Sequence, residues 1–204
     1  MPRGRRAVAL VAATVTALAV AVAVVLVAQE DEPRHVRAAA TPSVTAPPIF
    51  KPSKATAPIG VPDRLVISSI GVDAPVLPVG TTPEGAQEVP SSLEATGWWR
   101  DGQQPGSAGN AVIVGHTAPA ADGVFDDLVE LDEGDTITVS SGSESLSYAV
   151  TREEAVEVAD FASVADEIYR ETGPSGLVLM TCGDWNGTEF ETTVIIHAEV
   201  AQQS

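Results

Sequence analysis

The sequence predicts a mainly-β fold, a barrel or sandwich of short strands, carried behind a single N-terminal transmembrane helix. Three observations point there. An uncharged run of Ala, Val, Leu and Thr occupies 7–27, a Pro/Ala/Thr-rich stretch without apolar period follows it, and from residue 61 short runs are cut by Gly, Pro, Asn and Asp. Length agrees, since 204 residues suit one domain of ordinary size plus accessory segments. The expected organisation is 1–28 for a cytoplasmic tip and membrane anchor, 29–60 for a linker, and 61–204 for the folded domain.

The apolar run is 21 residues long. At about 1.5 Å per helical residue it crosses a hydrocarbon core of about 30 Å. Arg3, Arg5 and Arg6 precede it, and Glu30, Asp31 and Glu32 follow. The positive-inside rule then puts the N-terminus in the cytoplasm and everything past residue 28 outside, so the expected location is the cell membrane, single-pass. A cleaved signal peptide is the rival, but its apolar region is typically shorter and a small-x-small site follows closely. The reading is an uncleaved anchor with the bilayer as partner through 7–27.

The linker includes Ala46-Pro47-Pro48, Lys51-Pro52 and Ala57-Pro58, and it lacks the large side chains of a core. It reads as an extended, partly polyproline-like spacer. Beyond it, 65–70 and 74–79 read as strands flanking the turn Gly71-Val72-Asp73. Residues 90–97 suggest a short helical turn and 101–110 (DGQQPGSAGN) a loop; 135–139 and 146–150 alternate like half-buried strands. Segments 123–131 and 161–170 suggest short helices over connections. Ala111-Val112-Ile113-Val114 and Leu177-Val178-Leu179-Met180 are apolar throughout, as expected of strands buried on both faces.

Net charge is −17, and it is uneven: past residue 60 the chain carries 25 acids against 4 bases, a net of −21. Phosphates would be repelled, which excludes nucleic acid as a partner. The acidic stretch from Asp126 to Asp135 matches no Ca²⁺ ligand loop and reads as a solvated face, and no CxxC pair exists. No metal or cofactor is expected.

Cys182 is the only cysteine, so no disulfide forms within the chain. Alone, it reads either as a small buried hydrophobe or as a nucleophile. Context favours the second, because both apolar runs end in reactive residues. One passes through Gly115 to His116-Thr117, the other into Thr181-Cys182-Gly183. A thiol beside an imidazole attacks carbonyls to give a thioester, which an amine or water resolves. Of the three histidines, His35 lies in the linker and His197 shares a strand face with Glu199, which leaves His116 as the general acid/base candidate, or as a satisfied structural histidine. Trp98 and Trp99 suggest core or rim packing, while Trp185 and Asn186, just past Cys182, suggest groove positions.

Four landmarks in order resemble the sortase family. They are Ala111–Thr117 with Gly123-Val124-Phe125-Asp126-Asp127-Leu128, the strand ending Leu179-Met180-Thr181-Cys182, the opening Arg64-Leu65-Val66-Ile67 with Gly71-Val72-Asp73-Ala74-Pro75-Val76, and Gly97-Trp98-Trp99 with Pro105-Gly106. The likeness is greatest to class F sortases of actinobacteria. It implies an eight-stranded β-barrel with short helices. It also implies a cysteine transpeptidase that cleaves an LPxTG-like sorting signal and hands the new carboxyl end to a cell-wall amine. Cys182 would be nucleophile and His116 general acid/base, with Thr181, Thr117, Gly183 and Trp185 about the site.

One expected feature is missing. Sortases carry an arginine on the last strand, and the matching stretch here, Phe190-Glu191-Thr192-Thr193-Val194, has Glu191 in its place, with no Arg or Lys after Arg170. Losing one oxyanion donor typically costs about 2.7–4 kcal/mol. The resemblance therefore admits three outcomes. Arg100, Arg152 or Arg170 reaches the site, or Glu191 points away and other donors serve, or the domain is a degenerate, non-catalytic peptide-binding module.

Overall fold

A computed structural model describes residues 57–83 and 85–201. The anchor at 1–28 and most of the linker lie outside these residues. Within them, eight strands close into a barrel in the order β1-β2-β3-β4-β7-β8-β6-β5. The strands are β1 (Arg64–Ile67), β2 (Val72–Val79), β3 (Thr96–Trp99), β4 (Gly109–Val114), β5 (Thr136–Ser141), β6 (Glu144–Glu157), β7 (Ser175–Trp185) and β8 (Phe190–Val200). β2–β3 and β4–β7 pair parallel, and β1 closes the ring antiparallel against β5. Ile59, at the end of the stretch read as spacer, packs against the core, and its amide donates to Pro105 O at 3.1 Å.

The expected helices are shorter than the sequence suggests. Residues 90–97 give turns and then β3; 123–131 give turns and a 3₁₀ segment at Leu128–Glu130. The third region starts earlier, with a 3₁₀ segment at Val158–Ser163 followed by α1 (Ala165–Ile168). Each is too short to form by propensity alone, so packing holds them in place.

Alternation along β4 and β7 explains why both are apolar throughout. Ala111, Ile113, Leu177 and Leu179 point into the barrel core with Leu65, Ile137 and Tyr148. Val112, Val114, Val178 and Met180 point outward into a second cluster with Ile168 and Ile195, covered by Phe161, Val164 and Tyr169 from the 158–174 connection. Burial of each such side chain contributes roughly 1.5–3 kcal/mol, so both faces of these strands are fixed. β7 is buried from Ser175 to Thr181 and emerges at Cys182.

Candidate functional site

The outward row Val178-Met180 continues to Cys182, and the outward row Val112-Val114 runs on to His116. β4 and β7 are parallel and in register, with Val114 opposite Met180, and Gly115 N extends the ladder by donating to Met180 O at 3.1 Å. Two adjacent strand ends therefore present the thiol and the imidazole side by side, and both line one groove of about 920 Å³. Val114 and Met180 form its floor, Phe161, Ala162 and Ala165 one wall, and the loop at 81–89 another.

His116 is half-buried, and its Nε2 lies 2.6 Å from Pro90 O. A carbonyl only accepts, so Nε2 carries the proton and Nδ1 is left as the basic nitrogen. Pro90 reaches this position because Gly97 beneath it has no Cβ; one there would come within 2.8 Å of Pro90 Cδ. The loop after His116 is tied back on itself. Phe125 N donates to His116 O, and Asp126 accepts from Ala118 N and Gly123 N, each at 2.8 Å. Asp126 thus belongs to the histidine loop rather than to a solvated acidic face.

Thr181 is buried, lines the groove beside Cys182, and donates to Gly115 O at 3.0 Å; its oxygen lies 2.7 Å from Thr117 Oγ1. These hydroxyls bolt the β7 end to the β4 end. Thr117 itself does not line the groove. Cys182 is exposed, yet the groove wall still desolvates its sulfur, and that burial pushes the thiol up from its ordinary range. That shift favours the thiol over the thiolate.

Three expected site residues lie elsewhere. Gly183 turns toward Thr192 and Val194, where a Cβ would meet Thr192 Oγ1 at 2.6 Å. Trp185 is exposed on the β7–β8 hairpin and packs on Phe190, ring centroids 5.0 Å apart. Glu191 is exposed outside the groove, and its Oε1 accepts from Asn186 Nδ2 at 2.9 Å. Directly across the ladder from Cys182 stands Thr193, which does line the groove. The tryptophan of the groove is Trp99, in edge contact with Tyr169 at 4.9 Å. Trp99 Nε1 donates to Thr81 Oγ1 and the Tyr169 hydroxyl to Gln87 Oε1, both at 3.0 Å, which straps the 81–87 loop over that part of the groove.

No Arg or Lys among the described residues lines the groove. Arg64 pairs with Asp73, Arg100 lies beside Asp101, Arg152 binds Glu154 and Glu167, and Arg170 donates to Asn110 Oδ1 and Thr172 O.

A family model for the sortase domain matches residues 65–201. The chain belongs to the sortase family. Solved sortases of several classes share the fold. Sortase C-1 from Actinomyces oris is 24% identical, with a TM-score of 0.54 over 69% of this chain and 73% of that one. Sortase A from Corynebacterium diphtheriae is 20% identical, with a TM-score of 0.55 over 72% of this chain and 64% of that one. Sortase A from Listeria monocytogenes is 20% identical, with a TM-score of 0.54 over 69% and 86%. At such identities the likeness carries the fold alone. No curated protein sequence matches the chain. Sortases are cysteine transpeptidases, and in this sortase domain Cys182 and His116 line one groove.

Proposed function

We propose that this protein is a membrane-anchored, extracytoplasmic cysteine transpeptidase, similar to class F sortases, that cleaves an LPxTG-like sorting signal and transfers the protein to a cell-wall amine. The observation that carries this reading is the shared groove, with Cys182 and His116 at the ends of two paired strands. Cys182 Sγ attacks the scissile carbonyl while His116 Nδ1 takes the thiol proton. When the tetrahedral species collapses, the C–N bond breaks and His116 returns the proton to the departing amine. An acceptor amine then reverses these roles on the thioester. The apolar floor and walls suit an extended peptide.

The test is intact-protein mass spectrometry of the chain incubated with LPxTG-like peptides. A thioester adduct is expected on the parent and none on Cys182→Ala. Absence of any adduct across the panel would sink the transpeptidase reading.

The lack of any Arg or Lys lining the groove among the described residues favours a second reading, a degenerate sortase domain that binds peptide without turnover. It predicts peptide affinity that survives Cys182→Ala and no product with any amine. Glu191→Arg separates the two expectations for the missing arginine. Because Glu191 is held by Asn186 outside the groove, the substitution is expected to leave the acylation rate unchanged.

A further inference from the structure

Attack by a thiol on a carbonyl places a negative charge on the carbonyl oxygen, and the donor aimed at that oxygen is usually the largest single contribution to the rate. Among the described residues the groove has no guanidinium or ammonium to offer. Gln87 Nε2 has no partner among them but belongs to the 81–87 loop bonded to Tyr169, and the side-chain donors at the β4 and β7 ends are committed. His116 Nε2 donates to Pro90 O, the Thr181 hydroxyl donates to Gly115 O, and the Thr117 hydroxyl has Thr181 Oγ1 and Phe125 O as its acceptors. Glu191, as a carboxylate, only accepts. Tyr169 donates to Gln87, beside Trp99.

Thr193 differs from all of these. It is the antiparallel partner of Cys182 in the β7–β8 ladder, so both side chains leave the sheet on one face with Cβ atoms about 4.5–5.5 Å apart. It lines the groove with Cys182, it is half-buried, and its hydroxyl has no hydrogen-bond partner among the described residues. Its neighbour Thr192 makes the contrast. Thr192 lies on the opposite face, buried, with its hydroxyl donating to Asp184 Oδ2 at 2.9 Å.

We propose that the Thr193 hydroxyl is the side-chain donor to the acyl oxyanion, making it a catalytic residue of this groove. The assignment rests on the cysteine acyl-transfer reading above. As the Sγ–C bond forms, the carbonyl π pair moves onto oxygen and accepts the Thr193 O–H hydrogen bond, while the thiol proton passes to His116. When the pair returns, the bond to the leaving group breaks and His116 protonates that group. Thr193 keeps its proton throughout. A neutral hydroxyl is a weaker donor than a cation, so it supports slower acylation than a charged group in the same place.

The experiment compares two reactions of Cys182 in the full chain. 4-Nitrophenyl acetate acylates the thiol through an oxyanion, whereas iodoacetamide alkylates it by displacement and forms none. Thr193→Val, which keeps the shape, is expected to slow acylation by about 10²-fold with alkylation unchanged, and Thr193→Ser to restore most of the acylation rate. Acylation of Thr193→Val at the parent rate would overturn the assignment. So would an equal fall in both reactions, or a parent chain that alkylates but never acylates. The ester needs no peptide recognition. A parent that reacts with the ester and with no sorting peptide would therefore remove the transpeptidase reading and leave Thr193 in place.

Discussion

Where Gly176 faces Glu199, at one end of the β7–β8 ladder, the barrel surface holds a cavity of about 150 Å³ lined by Arg152, Arg170, Glu167 and His197. Six rungs along, where Cys182 faces Thr193, the far larger groove is lined by no Arg or Lys among the described residues. The domain has four arginines against 25 acids, and two of them sit at the polar end. There they hold the 158–174 connection down. Arg152 Nη2 meets Glu167 Oε1 at 2.7 Å, and Arg170 holds Asn110 Oδ1 while Asn110 Nδ2 donates to Glu167 O and Ile168 O. That connection is the groove wall. Two of the four arginines past residue 60 thus position the wall, and no Arg or Lys among the described residues lines the Cys182 end.

The comparison breaks most readily at the groove end. His116→Ala is expected to lower peptide acylation by about 10²–10⁴-fold near neutral pH, measured by thioester formation. Burial raises the Cys182 pKa, so thiolate is scarce at neutral pH and grows as pH rises through that value. The deficit of His116→Ala should therefore shrink with increasing pH, and a deficit independent of pH would count against His116 as the base. At the polar end, Asn110→Ala leaves two carbonyls and a guanidinium without their partner. A loss of about 1–3 kcal/mol in stability is expected, read by urea unfolding, with the iodoacetamide rate of folded protein unchanged. A changed alkylation rate would mean the two ends are not separable. Tyr169→Phe removes the hydroxyl that holds Gln87, a bond contributing about 0.5–1.5 kcal/mol. Steady-state kinetics should show a higher KM for the peptide with kcat retained, and an unchanged KM would mean the 81–87 strap does not touch substrate. Glu167→Gln is the smallest change, because its pair with Arg152 is exposed on both sides. It should shift stability by less than about 1 kcal/mol, and a larger loss in thermal unfolding would show that the wall depends on this one contact.

The sequence makes part of this site legible and hides the rest for definite reasons. Two apolar runs ending in His116 and Cys182 announce strands buried on both faces, because only covering on both sides tolerates Val112 and Val178 next to Ile113 and Leu179. The closure of β1 on β5 is not announced, since it pairs Leu65 with Val139 across a long sequence separation and leaves no local pattern. Thr193 is hidden for a related reason. Which β8 residue faces Cys182 depends on the hairpin at 186–189, where Asn186 Oδ1 accepts from Thr188 N and Glu189 N and sets the register. Alignment to the family motif selects Glu191, whereas the ladder selects Thr193. Trp185 follows the cysteine in sequence but leaves with the hairpin, and Trp99 reaches the groove from β3 through packing on Tyr169. Arg152 and Arg170 stand in the sequence as candidates to reach the site, and both are instead engaged by partners outside the groove.

The parallel pairing of β4 with β7 has a consequence for how the protein is made. Gly115 and Thr181 are 66 residues apart, and β5, β6 and α1 intervene. Contacts of such separation form late and slowly, because chain entropy must be lost before they give anything back. During synthesis β4 therefore emerges long before its partner β7, and Cys182 does not join His116 in one groove until the barrel is nearly complete. Folding itself acts as the safety catch: a half-made chain carries His116 but not yet Cys182, and the two share a groove only once β7 has docked on β4.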